Sequence, residues 1–188
     1  VEGAQMATLT SNLFRGTGET DHRLDVIAGH WPDDIEGAVV IVGPDKREPG
    51  GHWFGEPGLL CRIDLTPDAY GRIPVRQRLI RTPLMRLRRR LPWLFAKVAF
   101  AEVSPFGVTN LANTNVEVIE DRLFVGYDAG RPIEVDPDSL TYLTPVGSNA
   151  EWFQAMPALY EPMVSVAAHP ASAPDEPALY FVNYSPVP

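Results

Sequence analysis

A chain of 188 residues that is 45% hydrophobic and 10% aromatic can bury a core of its own, and it lacks the composition of a disordered segment. A net charge of -8 argues against nucleic acid as a partner, since phosphate binding needs a positive surface. One cysteine, Cys61, excludes an internal disulfide and fits a reducing, cytoplasmic compartment; no apolar run reaches the length of a membrane span, and no secretory signal pattern opens the chain.

Residues 1 to 36 read as loop-rich, with turn signals at Gly16-Thr17-Gly18 and Trp31-Pro32-Asp33-Asp34. Short β-type runs follow. Ala38 to Val42 is closed by Gly43-Pro44-Asp45, and Gly58 to Leu65 by Thr66-Pro67-Asp68. Cys61 lies inside the second run, where a buried thiol is expected rather than a nucleophile. Ile73 to Thr82 mixes apolar and basic residues, as a strand with one solvated face does. From Leu84 to Phe100 the period changes. Leu84, Leu87, Leu91, Leu94, Phe95 and Val98 share one helical face, and Pro92 predicts two short helices with itself near the start of the second. Nine of the sixteen basic residues fall between Arg72 and Lys97 and none follows Arg131, so a local basic patch is expected on an acidic molecule.

Four further β-type segments, roughly 113–119, 122–128, 131–135 and 140–144, are joined by connections too short for crossovers. They predict an antiparallel meander, the unit of a propeller blade and equally of many sandwiches and barrels. Spacing does not choose among these, and no clear repeat marks a regular WD40-type propeller. The chain closes with apolar runs at Val164 to Ala168 and Ala178 to Tyr184, the first ending in His169-Pro170.

Taken in order, Gly43-Pro44, His52-Trp53-Phe54, Ala112-Asn113-Thr114-Asn115, Asp136-Pro137-Asp138-Ser139-Leu140 and Ala168-His169-Pro170 resemble the carotenoid cleavage oxygenases. That family includes carotenoid and stilbene dioxygenases and the retinoid isomerase of the eye. The resemblance runs from about Leu24 to Tyr184. It implies an all-β fold, the N-terminal part of a seven-bladed β-propeller with a short helical insert at 84–100, so that residues 1–188 form one incomplete domain. A start at Val1 and an end at Pro188, directly after a strand-like run, fit that expectation. The chain departs from the pattern at Ile41-Val42, where the family carries Arg-Asn, and at Gly55-Glu56-Pro57-Gly58, where it carries Asp-Gly-Asp-Gly.

The implied activity is that of an Fe(II)-dependent non-haem dioxygenase that adds O2 across a C=C bond of a carotenoid, apocarotenoid or stilbene; this piece alone is expected to be inactive. His169 resembles the first of four iron-binding histidines and is expected at the inner end of a strand, beside small neighbours. Four neutral imidazoles suit Fe(II) and leave positions open for O2. On the residues alone, without that resemblance, His169 reads rather as a strand-end side chain hydrogen-bonded to backbone. Asp128 falls where the family has a glutamate that accepts a hydrogen bond from a ligand histidine; its plain reading is a turn residue before Ala129-Gly130. His22, His30 and His52 match no ligand position, and no Gly-x-Ser-x-Gly, phosphate-binding glycine loop or paired-cysteine zinc pattern is present. A metal-free binding or scaffold protein derived from the same family is the alternative, supported by Asp128 and the altered segment after Phe54.

Arg86, Arg88, Arg89 and Arg90 stand beside Leu91, Trp93, Leu94 and Phe95. Basic residues flanking bulky apolar ones suit a helix lying in a membrane interface, and the resemblance points the same way. Peripheral membrane contact through Leu91, Trp93, Leu94 and Phe95 is therefore expected, against the plain reading of an amphipathic helix packed on a sheet.

Overall fold

The computed structural model describes residues 18–45, 55–98, 101–128, 130–145, 151, 165–173 and 175–184. Its first sheet contains β1 (Thr20–Leu24), β2 (Ala38–Pro44), β3 (Gly58–Asp64) and β4 (Ile73–Leu79), antiparallel in the order β1-β4-β3-β2. β3 opens on four buried residues, Gly58 to Cys61, and β4 buries Ile73, Val75 and Gln77 on one face, the alternation expected of a half-buried strand. Burial pushes the Cys61 thiol up, as suits an unreactive core cysteine.

β1 is a correction to the loop-rich reading of residues 1–36. Thr-Asp-His-Arg-Leu has no apolar alternation, yet it pairs along its whole length with β4. Charge supplements the ladder: Asp21 accepts from Arg76 (3.1 Å) and Arg78 (2.6 Å), and Glu19 binds Arg81 (2.6 Å). His22 therefore sits in a strand, opposite Val75.

α1 (Pro83–Arg90) begins with proline, as a first helical position allows, and ends when Leu91 leaves helical geometry before Pro92. The second predicted helix shrinks to one 3-10 turn, Pro92–Leu94. Beyond it Ala96–Val98 is a strand, β5, that pairs with β6 (Ala101–Ser104), which pairs with β7 (Gly107–Val108). The helical face extrapolated through Val98 fails because Pro92 resets the chain and Ala96 and Lys97 find ladder partners in Val103 and Glu102. The helix is tied to this sheet by Arg88, whose Nε lies 2.8 Å from the carboxylate of buried Glu102.

The predicted meander is present as β8 (Asn115–Ile119), β9 (Arg122–Gly126), β10 (Ile133–Val135) and β11 (Tyr142–Pro145), in the order β11-β10-β9-β8. The two four-stranded sheets share one core: Leu60 and Ile80 from the first meet Leu123, Val125, Ile133, Val135 and Leu140 from the second. Each such aliphatic side chain contributes roughly 1.5–3 kcal/mol on burial. β2 and β8, the first strands of the two meanders, lie against one another, as the inner strands of adjacent blades do.

The segment between the sheets carries the Ala112-Asn113-Thr114-Asn115 motif, and its role is structural. Gly58 N–H donates to Leu111 O (2.7 Å), Asn113 Nδ2 to Glu56 O (2.7 Å), and Asn110 Nδ2 to Arg131 O (2.7 Å). Ala112 takes a left-handed φ of 47°, with its N–H held by Asn110 Oδ1 at 2.9 Å. At the opposite end Arg62 reaches Asp138 (2.9 Å) and Pro137 O (2.5 Å), and Arg76 donates to Asp138 O. Among the described residues no helix is long and apolar enough to cross a membrane.

Candidate metal centre

The last described stretch is a hairpin with a break in it. β12 (Ser165–Val166) pairs with β15 (Asn183–Tyr184), and β13 (Ala171–Ser172) pairs with β14 (Leu179–Tyr180). Between the two ladders, residues 167–170 stand opposite only 181–182. Two extra residues on one strand make a bulge, a feature that re-aims a side chain out of the sheet. His169 lies in it. Pro170 favours the break, because it has no N–H for a ladder.

Buried side chains anchor the bulge on the N-terminal side of the candidate ligand. Val166 and Ala168 are each 1% exposed, whereas His169 is exposed. Ala167 N–H donates to Val182 O (2.9 Å), and Ala168 N–H donates to Asp128 Oδ1 (3.1 Å). His169 makes no hydrogen bond, ion pair or ring contact among the described residues. Among the described residues it therefore has no backbone partner of the kind the plain reading expects. Its two ring nitrogens have no other partner among those residues.

Asp128 stands just past the end of β9, beside buried Tyr127, and brings the meander to the histidine bulge through the backbone of Ala168. Gly126 is the contact that sequence reasoning missed. A Cβ built there would lie 2.5 Å from the Ala168 carbonyl oxygen, so only glycine admits the bulge at this distance. A glycine inside the apolar run Leu123 to Tyr127 was the available signal. His22 and His30 are not joined to this site by any hydrogen bond or ion pair, and His52-Trp53-Phe54 lies outside the described residues. No group of three or more histidine, cysteine, aspartate or glutamate side chains among the described residues is arranged to hold a metal.

The basic segment is only partly committed. Arg88 is bound to Glu102, and Arg86 lies 6.0 Å from the Tyr142 ring centroid. Arg89 and Arg90 are exposed and unpaired among the described residues. Trp93 is 76% exposed; Leu91, Leu94 and Phe95 are half-buried, and no residue of α1 is fully buried.

A family model described as the retinal pigment epithelial membrane protein matches residues 13–188. Among solved structures, a mutant of Synechocystis apocarotenoid oxygenase is 20% identical over 84% of this chain and 34% of its own, with a TM-score of 0.62. A chimera of apocarotenoid oxygenase and RPE65 is 21% identical over 90% of this chain and 37% of its own, with a TM-score of 0.61. The lignostilbene dioxygenase of Pseudomonas brassicacearum is 21% identical over 83% of this chain and 32% of its own, also at 0.61. The fold is that of these β-propeller enzymes, and the chain spans about a third of their length. No curated protein matches the sequence significantly.

Proposed function

The chain belongs to the retinal pigment epithelial membrane protein family, and from that premise we propose that it is part of a non-haem Fe(II) dioxygenase that cleaves a C=C bond of a carotenoid, apocarotenoid or stilbene. The observation that carries this reading is His169, an exposed imidazole set out of its ladder by a bulge and left without a partner among the described residues.

The residues present fit one corner of such a site. A neutral imidazole nitrogen is a suitable donor for Fe(II), and the described residues provide one rather than a set. The remaining ligands would come from sequence outside them. Fe(II) held by imidazoles supplies the activation of O2; the overall reaction, C=C plus O2 to two C=O, balances without a further co-reactant. This chain's own part is to present His169 at a fixed angle and to hold that angle through the Asp128 and Gly126 contacts.

The reading includes peripheral membrane contact by the insert, on a protein of cytoplasmic location. Trp93 would enter the acyl boundary with Leu91, Leu94 and Phe95 beneath it, while Arg89 and Arg90 meet anionic headgroups. An apolar polyene partitions into bilayers, so an enzyme acting on it gains from docking there.

The test is reconstitution of the full-length protein with Fe(II), followed by aerobic incubation with a carotenoid, an apocarotenoid and a stilbene and mass analysis of products. Paired carbonyl fragments from one of the three are expected. A folded protein that takes up no iron and cleaves none of them would return the metal-free scaffold reading.

A further inference from the structure

The bulge at 167–170 strands backbone donors, and one of them has been captured. Ala167 N–H is satisfied by Val182 O (2.9 Å), and Pro170 has none to give. Ala168 N–H points instead across to the end of β9, where Asp128 Oδ1 accepts it at 3.1 Å. On its carbonyl side the same residue abuts Gly126, where a Cβ would come within 2.5 Å of Ala168 O and 3.5 Å of its Cα. Ala168 is thus gripped at both ends of its peptide framework while being 1% exposed. The very next residue is His169, exposed and without a hydrogen bond of its own among the described residues.

We propose that Asp128 and Gly126 form a backbone clamp that presets the direction of the His169 imidazole, with Asp128 acting as a positioning residue through the Ala168 amide. The inference rests on the reading of His169 as a metal ligand and adds to it how the ligand is aimed. A ligand already held in its bound direction loses less freedom on binding, which is how an outer contact raises affinity without touching the metal.

A backbone clamp and a ring-directed carboxylate make different demands on residue 128. The amide needs only an acceptor oxygen at that place, which Asp128→Asn keeps; a carboxylate that raises the basicity of an imidazole needs the charge, which Asp128→Asn removes. Gly126→Ala changes no polar group, yet it pushes on the Ala168 carbonyl. The experiment uses the full-length protein and two readouts: hydrogen exchange of the Ala168 amide in metal-free protein, and Fe(II) affinity by chelator competition. In Asp128→Ala, exchange is expected to accelerate and affinity to fall, each on the order of tenfold. Asp128→Asn should remain within about threefold of wild type in both, roughly the spread expected of a kept hydrogen bond. Gly126→Ala should follow Asp128→Ala; should it fail to fold, the two Asp128 variants still decide.

Unchanged Ala168 exchange in Asp128→Ala would overturn the clamp. So would an Asp128→Asn protein that binds Fe(II) as poorly as Asp128→Ala while its Ala168 amide stays protected. His169→Ala separates this proposal from the reading beneath it. Full Fe(II) affinity in that variant removes the ligand assignment, whereas the exchange result stands or falls without it.

Discussion

At Gly58 a methyl group would sit 1.8 Å from the Ala112 carbonyl oxygen, well inside contact distance and against backbone that cannot swing aside. The same glycine donates to Leu111 O and accepts from Ile80 N–H, so the first sheet is fastened here to the segment that leads into the second. Gly58→Ala is therefore expected to cost about 3 kcal/mol or more in urea unfolding, the range of severe overpacking. A loss under about 0.5 kcal/mol, typical of surface sites, would show that the close approach is not native. Residue roles were unevenly legible. His169 stood out because a histidine at the end of an apolar run, before proline, is conspicuous. Gly126 and Gly58 did not, because the atoms that require them, on Ala168 and Ala112, are distant in sequence and carry no pattern of their own.

Among the elements, the meander from β8 to β11 was the most legible, since its short turns force neighbouring strands to pair. β1 was not, because it joins β4 through a backbone ladder and ion pairs that a hydrophobic pattern does not register. The second half of the insert misled for a different reason: an apolar period continued past Pro92 by coincidence, while the backbone there is claimed by β6. One ion pair yields a pH test. Arg122 binds Glu134 through two bonds of 2.8 Å and also reaches Glu151, and the paired guanidinium holds the Glu134 carboxyl below its usual range. A carboxyl depressed in the folded state stabilises above the ordinary glutamate pKa, and that contribution is lost as pH falls through the folded value. Glu134→Gln should thus cost about 1 kcal/mol at pH 7, the upper end for a partly exposed pair, and progressively less as the pH is lowered through the range in which the folded carboxyl takes up its proton. An equal loss throughout that range would mean that packing, not charge, is what the substitution removes.

The insert has its own test at this scale. Flotation of full-length protein with anionic liposomes should be lost in Trp93→Ser/Phe95→Ser and weakened when Arg89 and Arg90 are neutralised. Trp93 should account for most of the first effect, because it is 76% exposed while Phe95 is half-buried. Equal flotation by wild type and both variants would leave the segment as core packing.

Over the whole molecule, two blades share a core and are laced together by the 109–114 segment on one side and by Arg62 and Arg76 on the other. What they leave outward is apolar in places: Val39 and Ile41 on β2, Val118 on β8 and Leu143 on β11 are 38–64% exposed. Surface of this kind on strand edges is covered in a complete propeller. The 188-residue chain by itself is expected to bind a hydrophobic dye or self-associate. A dye-negative monomer with one sharp melt would count against an incomplete propeller. The propeller was recognisable in sequence only through ordered motifs, since β-meander spacing serves sandwiches and barrels equally well. The proposed metal site was readable at His169 alone, since no group of three or more potential ligands is assembled among the described residues.

The central claim is that His169 is a metal ligand, and iron content tests it most directly. Purified full-length wild type and His169→Ala, each shown to be folded by circular dichroism, are loaded anaerobically with Fe(II), desalted and measured by elemental analysis. Wild type should retain close to one iron per chain and His169→Ala almost none. A folded His169→Ala protein that keeps the wild-type iron content would contradict the account.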